Sequence, residues 1–168
     1  MTVIIDGSLG VTFPVTAGSA SAVQASSGRV LQVVQATSGS IVSSSSSTYA
    51  DSGITATITP SSTSSKVLVF VSLAGVGKSA ASASNSIDLQ LVRNSTSIFQ
   101  YEALLGYSNT AIVQTSSSST TYLDSPATTS ATTYKVQFAA DGNTASVFIN
   151  NSNNRLSNSS ITLMEIAA

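Results

Sequence analysis

From Arg29 to the C-terminus this chain repeats short apolar runs with a period of two, separated by stretches of Ser, Thr, Gly and Asn. Period-two alternation puts one side of each run toward a core and the other toward a second surface, which is the signature of strands. Ile54–Thr59 alternates cleanly, with Ile54, Ala56 and Ile58 on one face and Thr on the other. Thr133–Ala139 places Tyr134, Val136 and Phe138 inward and Lys135 and Gln137 outward. A third of the chain is Ser or Thr, and with Val and Gly these give poor helix propensity throughout. At 168 residues the chain has room for one domain with a real core.

Further strands follow from the same reading. Arg29–Gln35 is dense in Val and Leu, and Lys66–Ser72 is apolar on both faces, which predicts a central strand covered on both sides. Ile87–Arg93 turns Ile87, Leu89 and Leu91 inward; Ser97–Leu105 and Thr120–Leu123 are weaker strands. Asp141-Gly142-Asn143 is turn chemistry, so Ala145–Ile149 is expected to complete a hairpin with the preceding strand. Ser160–Ile166 closes the chain as a final strand. Phe70, Tyr134, Phe138 and Phe148 fall on inward positions and are expected in the core. About ten short strands at this spacing imply an all-β fold, an antiparallel β-sandwich of jelly-roll type.

Residues 1–28 read differently. Two short apolar pieces, Thr2–Ile5 and Val11–Phe13, flank Asp6-Gly7, a hairpin signal. Pro14 to Gly28 is Ala, Ser, Thr and Gly with little to bury, the composition of a linker. The expected organisation is an extended N-terminal arm over 1–28 and a sandwich over 29–168.

The composition also narrows the chemistry. There is no His and no Cys, and charged residues make up only 8% of the chain. Disulfides, zinc–thiolate sites and thiol nucleophiles are excluded, and the usual general base is missing. Gly75-Val76-Gly77-Lys78-Ser79 imitates part of a phosphate-binding loop, but Ser72 stands where its first Gly belongs and no helix follows. It reads as an inter-strand loop. Asp6, Asp51, Asp124 and Asp141 read as turn residues, and Asp88 and Glu102 as members of rim salt bridges. A Ser–Lys dyad at Lys66, Lys78 or Lys135 is outweighed by a solubilising role for the lysines. No catalytic residue, metal ligand or cofactor site is therefore expected, and the chain reads as a non-enzyme. The six basic residues are scattered, which argues against nucleic acid, and no apolar run is long enough for a membrane span. A formal net charge of −1 favours association over life as a concentrated monomer.

Several segments together resemble a domain widespread in tailed-bacteriophage virion proteins: GRVLQVVQA, YADSGITATITPSS, KVLVFVSLAGVG, LDSPATTSATTYKVQFAA and SSITLMEIAA. The opening TVIIDGSLGVTFP is similar to a strand found near the C-terminal regions of tail-fibre proteins. The resemblance implies a trimeric jelly-roll-like sandwich displayed on a virion and made in the cytoplasm of a bacterial host. It implies two settings. One is a capsid decoration (cement) protein that binds the major capsid protein and stabilises the assembled shell. The other is a tail-fibre tip whose loops (38–52, 75–86, 107–119 and 150–160) touch a host-surface glycan or receptor. A short arm ahead of the sandwich, with no shaft, fits the decoration protein better. On that reading Val3, Ile5, Val11 and Phe13 of the arm dock to the capsid or a neighbouring protomer. Tyr49, Tyr101, Tyr107 and Tyr122 are candidate interface aromatics, since Tyr is enriched at interface cores.

Overall fold

The computed structural model describes residues 4–6, 10–12, 28–78, 85–106, 114–141, 146–151 and 157–168, with backbone only for 4–6, 10–12 and 114–116. The described elements are strands: β1 (Ile4–Asp6), β2 (Gly10–Thr12), β3 (Val30–Ser38), β4 (Val42–Ser44), β5 (Ala50–Ile58), β6 (Lys66–Lys78), β7 (Ser86–Arg93), β8 (Thr96–Leu105), β9 (Gln114–Asp124), β10 (Thr132–Asp141), β11 (Val147–Ile149) and β12 (Ser159–Ile166). β1 and β2 form the hairpin expected of the arm, with Ile5 opposite Val11.

The remaining strands make two antiparallel sheets. One has the order β5-β10-β7-β8; the other carries β3-β12-β6 with β9 on the far side of β6, and β11 and β4 continuing it at one end. Counting only the eight long strands in chain order, the sheets read 1-8-3-6 and 2-7-4-5. That is the winding of a jelly roll, and the all-β sandwich expected from the sequence is what the chain adopts.

The core lies between the inner faces. Alternation delivers Val67, Val69, Val71 and Leu73 of β6 and Ile161 and Leu163 of β12 from one sheet. From the other come Ile54 and Ile58 of β5, Leu89 and Leu91 of β7, and Val136 and Phe138 of β10. Fully burying an aliphatic side chain of this size stabilises by about 1.5–3 kcal/mol, so the paired inner faces dominate the fold.

Three expectations need correction. Gly75 to Lys78 is no loop: β6 runs unbroken from Lys66 to Lys78. Gly75 has φ of +57° at the point where β6 changes partner, from β12 (Ser72 opposite Ser160) to β11 (Gly77 opposite Phe148). Glycine takes this left-handed conformation without the Cβ penalty. Second, β11 forms no hairpin with β10. It crosses to the other sheet and pairs with β6 and β4, the latter drawn from a stretch read as polar loop. A turn signal fixes a reversal of direction but not the partner found after it. Third, Phe70 is outside the core, 38% exposed on the far side of β6.

Candidate functional site

The Phe70 correction leads to the surface of interest. On β6, Val67, Val69 and Val71 point inward, so Leu68, Phe70 and Ser72 must point outward. The register carries this outer side across the sheet. Val33 on β3 lies opposite Met164 on β12, Met164 opposite Leu68, and Leu68 opposite Leu123 on β9. One apolar residue per strand thus forms an unbroken row over four strands. Val33 is 55% and Leu123 49% exposed. One step along, the row is Gln35, Thr162, Phe70 and Thr121; the next is Thr37, Ser160, Ser72 and Ser119. Hydroxyls from these rows and the Phe70 ring line an open groove of about 550 Å³. Among the described residues this face carries one charge, Lys66 at a corner.

The outer side of the other sheet has a row of opposite character. Gln137 on β10 donates to Asp51 on β5 at 2.7 Å, and Gln90 on β7 donates to Gln137 at 2.9 Å. Ser97 on β8 donates to Gln90 at 2.7 Å. Lys135 pairs with Asp51 at 2.9 Å, and Thr57 shares a hydrogen bond with Thr133. Hydrogen bonds from Lys135 and Gln137 hold the Asp51 carboxyl below its ordinary range. Here the side chains already satisfy one another.

Acidic groups that sequence reasoning placed in turns or at the rim serve the frame. Asp124 is buried at the end of β9, where Arg93 of β7 reaches both its oxygens at 2.9 and 2.8 Å. The fully buried Tyr134 hydroxyl donates to the same carboxylate at 2.6 Å. The triad ties the two sheets together, and burial followed by the Asp124 hydrogen bond raises the Tyr134 phenol above its usual value. Among the described residues Asp88 and Glu102 make no rim salt bridge. Asp88 accepts from the Leu104 amide at 3.1 Å, and Glu102 accepts from Ser118 at 3.1 Å. Asp51 lies within β5 and Asp141 ends β10. The sequence reading missed Glu165, which sits on the inward side of β12 and is 1% exposed. Its carboxylate accepts from the Ser61 amide at 2.7 Å, the Ser61 hydroxyl at 2.6 Å and Gln32 at 2.7 Å, pinning the β5–β6 connection against β12 and β3. The available signal was its period: Glu165 continues the inward set Ile161 and Leu163.

The candidate aromatics separate. Tyr101 and Tyr122 are half-buried and belong to one cluster: Phe99 stacks on Tyr122 at 5.0 Å between ring centres and on Tyr101 at 6.3 Å. The cluster closes the sandwich between β8 and β9, and burial followed by the Glu102 charge pushes the Tyr101 phenol up. Tyr49 is half-buried, its phenol raised by burial, then by the charges of Asp88 and Asp141. Tyr107 lies outside the described residues, as do Val3 and Phe13 of the arm. Ile5 and Val11 are neighbours in the β1–β2 register. Lys78, part of the imitation phosphate loop, is buried and donates to the Asn85 carbonyl at 2.9 Å. Asn150 is also buried: it donates to the carbonyls of Ser38 and Ser40 and accepts from Ser159.

No family model matches this sequence, and no curated protein matches it at a significant level.

Proposed function

We propose that this chain is a non-enzymatic structural protein of a tailed-phage virion. On this reading it is a capsid decoration protein that binds the major capsid protein as a trimer and stabilises the assembled shell. The observation that carries the reading is the outer face of the β3-β12-β6-β9 sheet, charged among the described residues only at Lys66, with a row of Val33, Met164, Leu68 and Leu123 whose two ends are exposed and whose middle is half-buried. Depletion of charge, with Met and Phe present, is the composition that marks the core of a protein–protein interface. Contiguous exposed apolar surface of this kind marks docking sites on soluble proteins. Asp124 and Glu165 are committed to the frame, and surface recognition is the chemistry such a face serves best. A protein that binds the assembled shell and not its free subunits shifts the equilibrium toward assembly. Three copies on one symmetric site add their weak contacts through effective concentration.

The test is binding of labelled protein to decoration-free mature capsids and, separately, to host cells. Saturable occupancy of the shell with a raised melting temperature is expected. Leu68→Glu puts a charge at the centre of the row and should lower affinity at least about tenfold, roughly 1.4 kcal/mol. Binding to cells but not to capsids would overturn the decoration role in favour of a tail-borne adhesin working through its loops.

A further inference from the structure

Among the described residues the sandwich has five edge strands: β3, β5, β8, β9 and the three-residue β4. An edge strand leaves alternate backbone N–H and C=O groups without a partner, and soluble proteins blunt such edges with bulges, charges or proline. β4 is too short to template a partner, and three of the four long edges are blunted. β3 carries a bulge where Glu165 and Ile166 pass Gln32 and Val30, and Gln32 bridges from it to the Thr59 carbonyl. β5 has Asp51, a register shift against β10 and Gly53 at φ of +78°. β8 slips register against β7 three times, contains Glu102 and bends at Leu104 with φ of +62°.

β9 has none of these devices. It stays in one register with β6 from Asp124 opposite Val67 to Gln114 opposite Gly77. It contains no Pro, no Gly and no charge before the buried Asp124. Its backbone from Ser117 to Asp124 bonds to β6 and to no other described strand or loop. A straight, uncharged edge of this length is a template for one more strand.

The arm has the opposite need. β1 and β2 pair three residues each, with each other and with no other described strand. A hairpin of two strands is marginal in water and becomes stable when a third strand joins it. Within one chain, then, both the hairpin and the β9 edge are left wanting a strand. We propose that the β1–β2 hairpin of a second copy adds to the β9 edge, extending the sheet across the subunit boundary beside Leu123. Residues 13–27 can span up to about 50 Å when extended, enough to reach a neighbouring protomer. Each copy offers one hairpin and one edge, so the contact is heterologous, and in a trimer it runs head-to-tail around a ring. The ring closure rests on the trimer proposed above, and it gives the arm residues Ile5 and Val11 a specific place.

Hydrogen exchange of the full-length protein tests this. Amides of β9 between Ser117 and Leu123 are followed at high concentration and after dilution, in the wild type and in the Ile5→Pro/Val11→Pro variant. The double substitution breaks the hairpin without touching the sandwich, and unchanged exchange in β10 verifies that. The expected result is exchange about tenfold faster across β9 in the variant, and a similar acceleration in the wild type on dilution. Protection that survives the double substitution overturns the proposal, because another strand, such as a second β9, then covers the edge. Protection lost in the variant but indifferent to dilution also overturns it, since the chain's own hairpin is then the occupant. The outcome is separable from the decoration role: Leu68→Glu reports on shell binding, and Ile5→Pro/Val11→Pro on subunit exchange.

Discussion

The two sheets are built alike inside and unlike outside. Each inner face is an alternating set of Val, Ile and Leu, and each outer face carries one row that crosses four strands. In the β5-β10-β7-β8 sheet that row is Asp51, Gln137, Gln90 and Ser97, closed by its own hydrogen bonds. In the β3-β12-β6-β9 sheet it is Val33, Met164, Leu68 and Leu123, an apolar row exposed at both ends. The backbone pattern is shared, so the difference lies in side-chain chemistry alone. A self-satisfied row gains little from a partner and must break hydrogen bonds to accept one. An apolar row gains from any surface that excludes water from it. The comparison teaches where on this fold to look for function.

The comparison can be broken or sharpened by substitution, beginning with what the sheets share. Leu163→Ala under the apolar-faced sheet and Leu89→Ala under the polar-faced one should each cost about 3 kcal/mol in denaturant unfolding. A loss confined to one of the two would show that the sheets do not share one core.

A smaller effect separates them by pH. Burial pushes the Glu165 carboxyl up, but hydrogen bonds from Ser61, Gln32 and Ser65 outweigh it and hold its pKa at about 2, against an ordinary 4.5. A carboxylate with a depressed folded-state pKa contributes stability that is complete above its unfolded value and is lost as pH falls through the folded one. Unfolding free energy should therefore decline from about pH 4.5 down through about pH 2, and Glu165→Gln should flatten that part of the profile. An unchanged slope in the variant would remove Glu165 as the anchor beneath the apolar-faced sheet.

The smallest effects belong to the outer rows themselves. Asp51→Ala removes an exposed ion pair and should cost under about 1 kcal/mol. Phe70→Ser should change monomer stability by a similarly small amount, because the ring is already partly wet; if the proposed docking holds, it should also weaken shell binding. Substantial unfolding of the Phe70→Ser monomer would mean that Phe70 is a core residue after all.

Most of the frame was legible in the sequence, because alternation is a local property. β3, β5, β7, β10 and β12 fall where the period-two runs place them, and so do the inward faces of Ile54, Leu89 and Phe138. The outer face of the β3-β12-β6-β9 sheet was only half legible. An apolar run on both sides of Lys66–Ser72 reads the same whether its second face is covered by the chain itself or left for a partner, so Phe70 was expected in the core. Asp124 was missed for a related reason. Its neighbours Ser125 and Pro126 describe a turn, whereas its partners Arg93 and Tyr134 come from other strands that only the folded topology brings near. Lys78 followed the same rule: its glycines suggest a loop until the pairing with β9 and β11 is known.

One feature of the frame bears on how the sandwich carries load. The Gly28 amide bonds to the Ala167 carbonyl at 2.8 Å, and the Ala167 amide to the Arg29 carbonyl at 2.9 Å, so the chain enters and leaves the sandwich at one bonded corner. A pull between the arm and the C-terminus would open β3 from β12 like a zipper, one pair of hydrogen bonds at a time. A pull along β3, against a body held by its sheet face, would instead strain the whole β3–β12 ladder at once. An arm anchored in a neighbour while the sheet face is anchored on a shell would load the strands in that second, stronger direction.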